Sequence, residues 1–105
     1  EFTRTLELDP NYATPPEQNP NYAWAYYDRG FAHLKQKHYT LAIADFTKAA
    51  AIAPRFSPVY YWRAMAYVGI GKKEMAREDM RRAARLGSPA AAKWLGSRAA
   101  AAKSP

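Results

Sequence analysis

Tyr26-Tyr27-Asp28-Arg29-Gly30-Phe31-Ala32 returns thirty-four residues later as Tyr60-Tyr61-Trp62-Arg63-Ala64-Met65-Ala66. The same shift, without a gap, carries Ala42 onto Ala76, Asp45 onto Asp79 and Ala49-Ala50 onto Ala83-Ala84. Chemically similar residues coincide as well: Phe46 with Met80, Lys48 with Arg82 and Ile52 with Leu86. A fixed period of this length decides the fold, because units of this size are too narrow to bury their own apolar faces and must stack on one another.

Within each unit the apolar spacing is helical and breakers cut it in two. The pattern predicts one helix from about residue 23 to 36 and a second from about 39 to 52, with His38 near the turn. Pro54 closes the pair, since proline has no N–H for the helical ladder and disfavours the helical region for its predecessor. The second unit begins near Ser57 with Pro58 in the first turn, breaks at Gly69 and Gly71, and resumes from about residue 73 to 86. Gly87 suits a left-handed cap, and Ser88-Pro89 opens a further helix.

These residues resemble the tetratricopeptide repeat family. Its pattern of aromatic, glycine, aromatic, alanine, phenylalanine and proline is similar to Tyr26, Gly30, His33, Ala42, Phe46 and Pro54 in the first unit. The second unit supplies Tyr60, Ala64, Tyr67, Ala76 and Met80, with Pro89 one residue late. Departures are His33 for tyrosine, Ala64 for glycine and Met80 for phenylalanine. The stretches 25–30 and 42–48 are similar to a common bacterial subtype. The resemblance implies an all-α fold, antiparallel helix-turn-helix units stacked as a short right-handed superhelix.

The expected organisation has four parts. Residues 1–22 comprise a partial preceding repeat and a proline-rich insertion: Phe2-Thr3-Arg4 stands eight residues before Pro10 as Phe46-Thr47-Lys48 stands eight before Pro54. Residues 23–56 and 57–90 are the two full repeats. Residues 91–105 are a capping helix anchored by Trp94 and Leu95, rich in helix-favouring alanine and frayed from Ala99 onward.

Composition narrows the function. The 105 residues are 49% hydrophobic and carry a formal charge of +7. Residues 1–56 hold six basic and six acidic side chains, and residues 57–105 hold ten and three, so the excess belongs to the second half. There is no cysteine, which excludes disulfides and thiolate metal sites. No apolar run approaches the roughly 20 residues that span a bilayer. The N-terminus lacks the regions of a signal peptide, so a cytoplasmic location is the default and a periplasmic one follows only if a signal peptide was removed from a longer parent.

Little in the sequence supports catalysis or metal binding. His33 and His38 would lie about 140° apart on a continuous helix, too divergent to share a metal. Gly69-Ile70-Gly71-Lys72-Lys73 lacks the earlier glycine and the following Ser/Thr of a phosphate loop and stands between helices rather than after a strand. Glu74, Glu78 and Asp79 read as ion-pair partners of Arg77, Arg81 and Arg82. The sequence therefore predicts neither enzyme activity nor a cofactor, metal or small-molecule substrate.

The resemblance implies instead a groove lined by the first helix of each repeat. On this chain that stripe is Trp24, Tyr27, Asp28, Phe31 and Lys35, continued by Pro58, Tyr61, Trp62 and Met65, a spacing that keeps each set on one helical face. Aromatic residues, methionine and arginine dominate interface hot spots. Family members that clamp the terminal carboxylate of heat-shock chaperones use lysine, asparagine and arginine on these helices; Tyr27, Phe31 and Trp62 stand here instead. A protein or peptide partner with apolar or aromatic side chains is expected. A basic flank of Arg63, Lys72, Lys73, Arg77, Arg81, Arg82 and Arg85 favours an acidic one. Two alternatives stay open: nucleic acid or an anionic surface on the basic repeat, which lacks an aromatic platform and ranks lower, and self-association through the repeat ends.

Overall fold

The computed structural model describes the backbone of residues 20–103 and the side chains of residues 21–97. The expected half repeat and insertion at 1–19 lie outside the described residues. Among the described residues the fold is a run of helices without strands: α1 Pro20–Lys35, α2 Tyr39–Ile52, α3 Ser57–Gly69, α4 Lys73–Arg85 and α5 Pro89–Lys103. α1 packs on α2, α3 on α4, and each pair packs on the helix that follows.

One boundary differs from the sequence reading. α1 starts at Pro20, a turn before Ala23, because proline suits the first turn, where its missing N–H and preset φ carry no penalty. Pro20-Asn21-Tyr22 is therefore helical and continuous with the first helix of the repeat, and Tyr22 is 4% exposed. α5 runs from Pro89 to Lys103, the span of the alanine-rich stretch.

Three helices end in one device. The N–H of His38 bonds to the carbonyl of His33 and that of Lys37 to Leu34. Lys72 to Tyr67 with Gly71 to Val68, and Ser88 to Ala83 with Gly87 to Ala84, repeat the arrangement. These are Schellman caps, whose central residue must be left-handed. Gly71 (φ 80°) and Gly87 (φ 99°) take that conformation without a clashing Cβ, whereas Lys37 takes it at φ 65°.

The core consists of two joined clusters. The first gathers Ala42, Phe46 and Ala49 of α2 with Val59 and Ala66 of α3. The second gathers Tyr60 and Ala64 of α3, Ala76, Met80 and Ala83 of α4, and Ala91 of α5. Each repeat thus completes its core with residues of the next helix, the stacking its narrow apolar face requires.

Close approach within each repeat depends on matched sizes. A Cβ at Gly30 would lie 2.9 Å from two atoms of the Phe46 ring. At the equivalent place Ala64 faces a core whose central residue is Met80, and both are fully buried. The unbranched thioether accommodates a methyl that the rigid ring would not. The two departures from the family pattern in the second repeat therefore compensate each other.

Each repeat also buries one carboxylate. Asp45 receives Arg29 through Nε on Oδ2 and Nη2 on Oδ1, both at 2.8 Å. Asp79 receives Arg63 by the same atoms at 2.7 and 2.8 Å. These planar two-bond forks are the strong geometry for an ion pair, and they tie the first helix of each repeat to its second.

Candidate functional site

The stripe on the first helices of the two repeats forms a continuous line of rings. Trp24 is 57% exposed and lies 6.0 Å, centroid to centroid, from Tyr27. Tyr27 stands 6.5 Å from Phe31 in near-parallel stacking, and Phe31 meets Trp62 of α3 edge-on at 5.1 Å. Trp62 continues to Tyr61 at 4.9 Å. The offset and edge-on contacts are those aromatic quadrupoles favour. The line crosses from α1 to α3, so one surface spans both repeats.

Phe56 joins this line although the stripe did not include it. It immediately precedes α3 and fills the corner between Trp24, at 4.9 Å, and Tyr27, at 5.2 Å. No periodicity marks a linker residue. An isolated aromatic between Arg55 and Ser57 was the available signal.

Electrostatics differ along the line. The Tyr27 hydroxyl titrates above the ordinary tyrosine value because burial, then the nearby Asp28 charge, oppose its ionisation. Burial raises the Asp28 carboxyl above its ordinary value too, and among the described residues no ion pair offsets that loss of hydration. Lys35 places its Nζ 5.5 Å over the Phe31 ring, a cation–π contact at the groove edge.

The structure divides the predicted groove residues into two groups. Trp24, Tyr27, Phe31 and Trp62 come together, with Asp28 and Lys35 beside them on α1. Tyr61 and Met65 turn part of their surface to the core around Met80. Tyr27, Phe31 and Trp62 also pack on the core around Phe46. The line is a half-buried seam with Trp24 projecting from it.

The basic flank requires two corrections. Arg63 does not belong to a solvent-facing patch: its side chain is 12% exposed, it is held by Asp79, and its remaining Nη1 reaches Thr47 on α2 at 3.2 Å. The Asp79 hydrogen bond holds its guanidinium above the ordinary arginine value. Arg77, expected to pair with a neighbouring acid, has no ion pair among the described residues. Glu78 instead stands 4.0 Å from Arg81, and Asp79 also accepts Arg82 at 3.2 Å. Lys72, Lys73, Arg77, Arg81, Arg82 and Arg85 are exposed.

The histidines are closer than a continuous helix would place them. The Schellman turn brings the His33 and His38 rings to 6.0 Å, and His33 Nε2 lies 3.7 Å from Asp45 Oδ2. Among the described residues no group of three potential ligands is placed to hold a metal. The Gly69–Lys73 stretch is a helix cap, in which Gly69 leaves room for the Tyr39 ring, 2.6 Å from where its Cβ would be.

Paired helices, a core completed by the following helix and a ring-lined first-helix face define a stacked helical-repeat interaction protein. Models of one family, described as "Tetratricopeptide repeat", match residues 23–56 and residues 57–86. The chain belongs to the tetratricopeptide repeat family. The family identifies it as a protein–protein interaction scaffold. No curated protein matches the chain.

Proposed function

We propose that this chain is a non-catalytic adaptor that holds a peptide or helix of a partner protein along the ring line from Trp24 to Tyr61. The observation that carries this reading is the line's continuity across two repeats, ending in a tryptophan that is 57% exposed. Half-buried rings are positioned before a partner arrives, so little side-chain freedom is lost on binding. The neighbouring excess of arginine and lysine favours an acidic partner and speeds its encounter.

The test compares partner capture by the wild-type protein and by Trp24→Ala combined with Lys35→Ala. Both side chains are exposed, so circular dichroism should be unchanged while capture falls at least tenfold. Full retention of the same partner by the folded double variant would move the binding site elsewhere. Capture that collapses between about 50 and 200 mM salt and survives the variant would favour phosphate binding by the basic repeat.

A further inference from the structure

The two repeats differ where the first helix ends and the second begins. In the first, Leu34, Tyr39 and Ile43 pack against the core around Phe46. Thirty-four residues on, the same places hold Val68, Lys73 and Arg77. Where the first repeat is filled with apolar side chains, the second has a cavity of about 230 Å³ lined by Val68, Lys73, Arg77 and Trp94.

The charges lining that cavity are unbalanced. Lys73 and Arg77 are four residues apart on one face of α4, where like charges repel and weaken a helix. Neither has an ion pair among the described residues. Glu74, the acid of the first turn, pairs with neither, and Glu78 is engaged by Arg81. The amino end of α4 adds to the field, because Lys72 at the cap makes no side-chain hydrogen bond to the first-turn N–H groups. The opposite wall is apolar, formed by the Trp94 indole and Val68.

We infer that this cavity is a specificity pocket for an acidic side chain, Asp or Glu, carried next to an apolar residue in the partner segment. The carboxylate bridges Lys73 and Arg77 and relieves their repulsion, and the apolar neighbour lies on Trp94 and Val68. The inference rests on the proposed role as a peptide-binding module and adds the chemistry it selects. A neutral peptide leaves both cations unpaired in a partly enclosed site, which is how polar pockets discriminate.

The probes are the blocked peptides Ac-Ala-Leu-Glu-Phe-Ala-NH2 and its Gln counterpart, titrated into the isotopically labelled full chain while the tryptophan indole N–H signals are followed by NMR. The Glu peptide should shift the Trp94 signal and bind about tenfold more tightly than the Gln peptide. Arg77→Gln and Lys73→Gln should each remove most of that preference without altering the far-ultraviolet circular dichroism spectrum. Sodium acetate and sodium phosphate at equal concentration should leave the Trp94 signal in place, which separates a peptide site from a free-anion site. Equal binding of the two peptides, unchanged preference in Arg77→Gln, or a Trp94 shift with acetate or phosphate alone would overturn the inference. Shifts at Trp24 and Trp62 without any at Trp94 would overturn it while leaving the ring-line reading intact.

Discussion

Arg63 and Asp79 face each other through two parallel hydrogen bonds of 2.7 and 2.8 Å, the arrangement that Arg29 and Asp45 make one repeat earlier. With Asp79 1% exposed, its charge is compensated mainly by the Arg63 guanidinium, and Arg82 adds one longer contact at 3.2 Å. Removing one member of such a pair leaves a buried charge alone, typically at a loss of about 3–5 kcal/mol. Arg63→Ala should therefore lower stability by about 3 kcal/mol in urea unfolding. Arg63→Met with Asp79→Leu should recover most of it. A loss below about 1 kcal/mol for Arg63→Ala, the range of an exposed pair, would contradict the account.

Gly30 with Phe46 and Ala64 with Met80 are two solutions to one packing problem. Gly30→Ala should destabilise by about 1–3 kcal/mol, the usual effect of overpacking. Adding Phe46→Met should reverse part of that loss. A double-mutant cycle read by thermal unfolding should show coupling of at least about 0.5 kcal/mol, and strict additivity would remove the explanation.

Lys37 holds a left-handed conformation that its counterpart Gly71 takes freely. A left-handed side chain is disfavoured by about 1–2 kcal/mol, and glycine loses about 0.5–1 kcal/mol through its more flexible unfolded state. Lys37→Gly should thus stabilise by roughly 0.5–1 kcal/mol, raising the unfolding temperature by a few degrees. Gly71→Ala should have the opposite sign.

Asp28 gives a pH-dependent prediction. Burial raises its carboxyl above the ordinary 3.8, so the folded state binds a proton more tightly than the unfolded chain. Its contribution is most favourable below the ordinary value and is lost as pH rises through the raised one. Asp28→Asn should therefore unfold at a slightly higher temperature than wild type at neutral pH. The difference should disappear near pH 3. A gap that persists in acid would point to a lost contact rather than a buried charge.

Much of the fold was legible because its signals repeat. The thirty-four-residue period, Pro54 and the glycines after α3 and α4 locate the helix pairs, and the predicted turns fall where the structure has them. The helix start at Pro20 was not legible, because a proline in the first turn of a helix looks the same in sequence as one in an extended segment. Arg63 was misread as surface charge because composition counts a cation without its partner. Its correction was also in the sequence: an arginine and an aspartate sixteen residues apart occur in both repeats. The half-buried character of Tyr27 and Trp62 depends on which neighbour covers each ring, and helical spacing carries no record of that.

Site-specific photocrosslinking in the source cells tests the central claim most directly. A benzoylphenylalanine placed at Trp24 or Lys35, on the ring line, should crosslink a protein partner. The same group at Ala51, exposed on α2 and outside the ring contacts, should crosslink that partner at least tenfold less. Crosslinking from position 51 equal to or stronger than that from 24 and 35 would contradict an aromatic binding groove on the first helices.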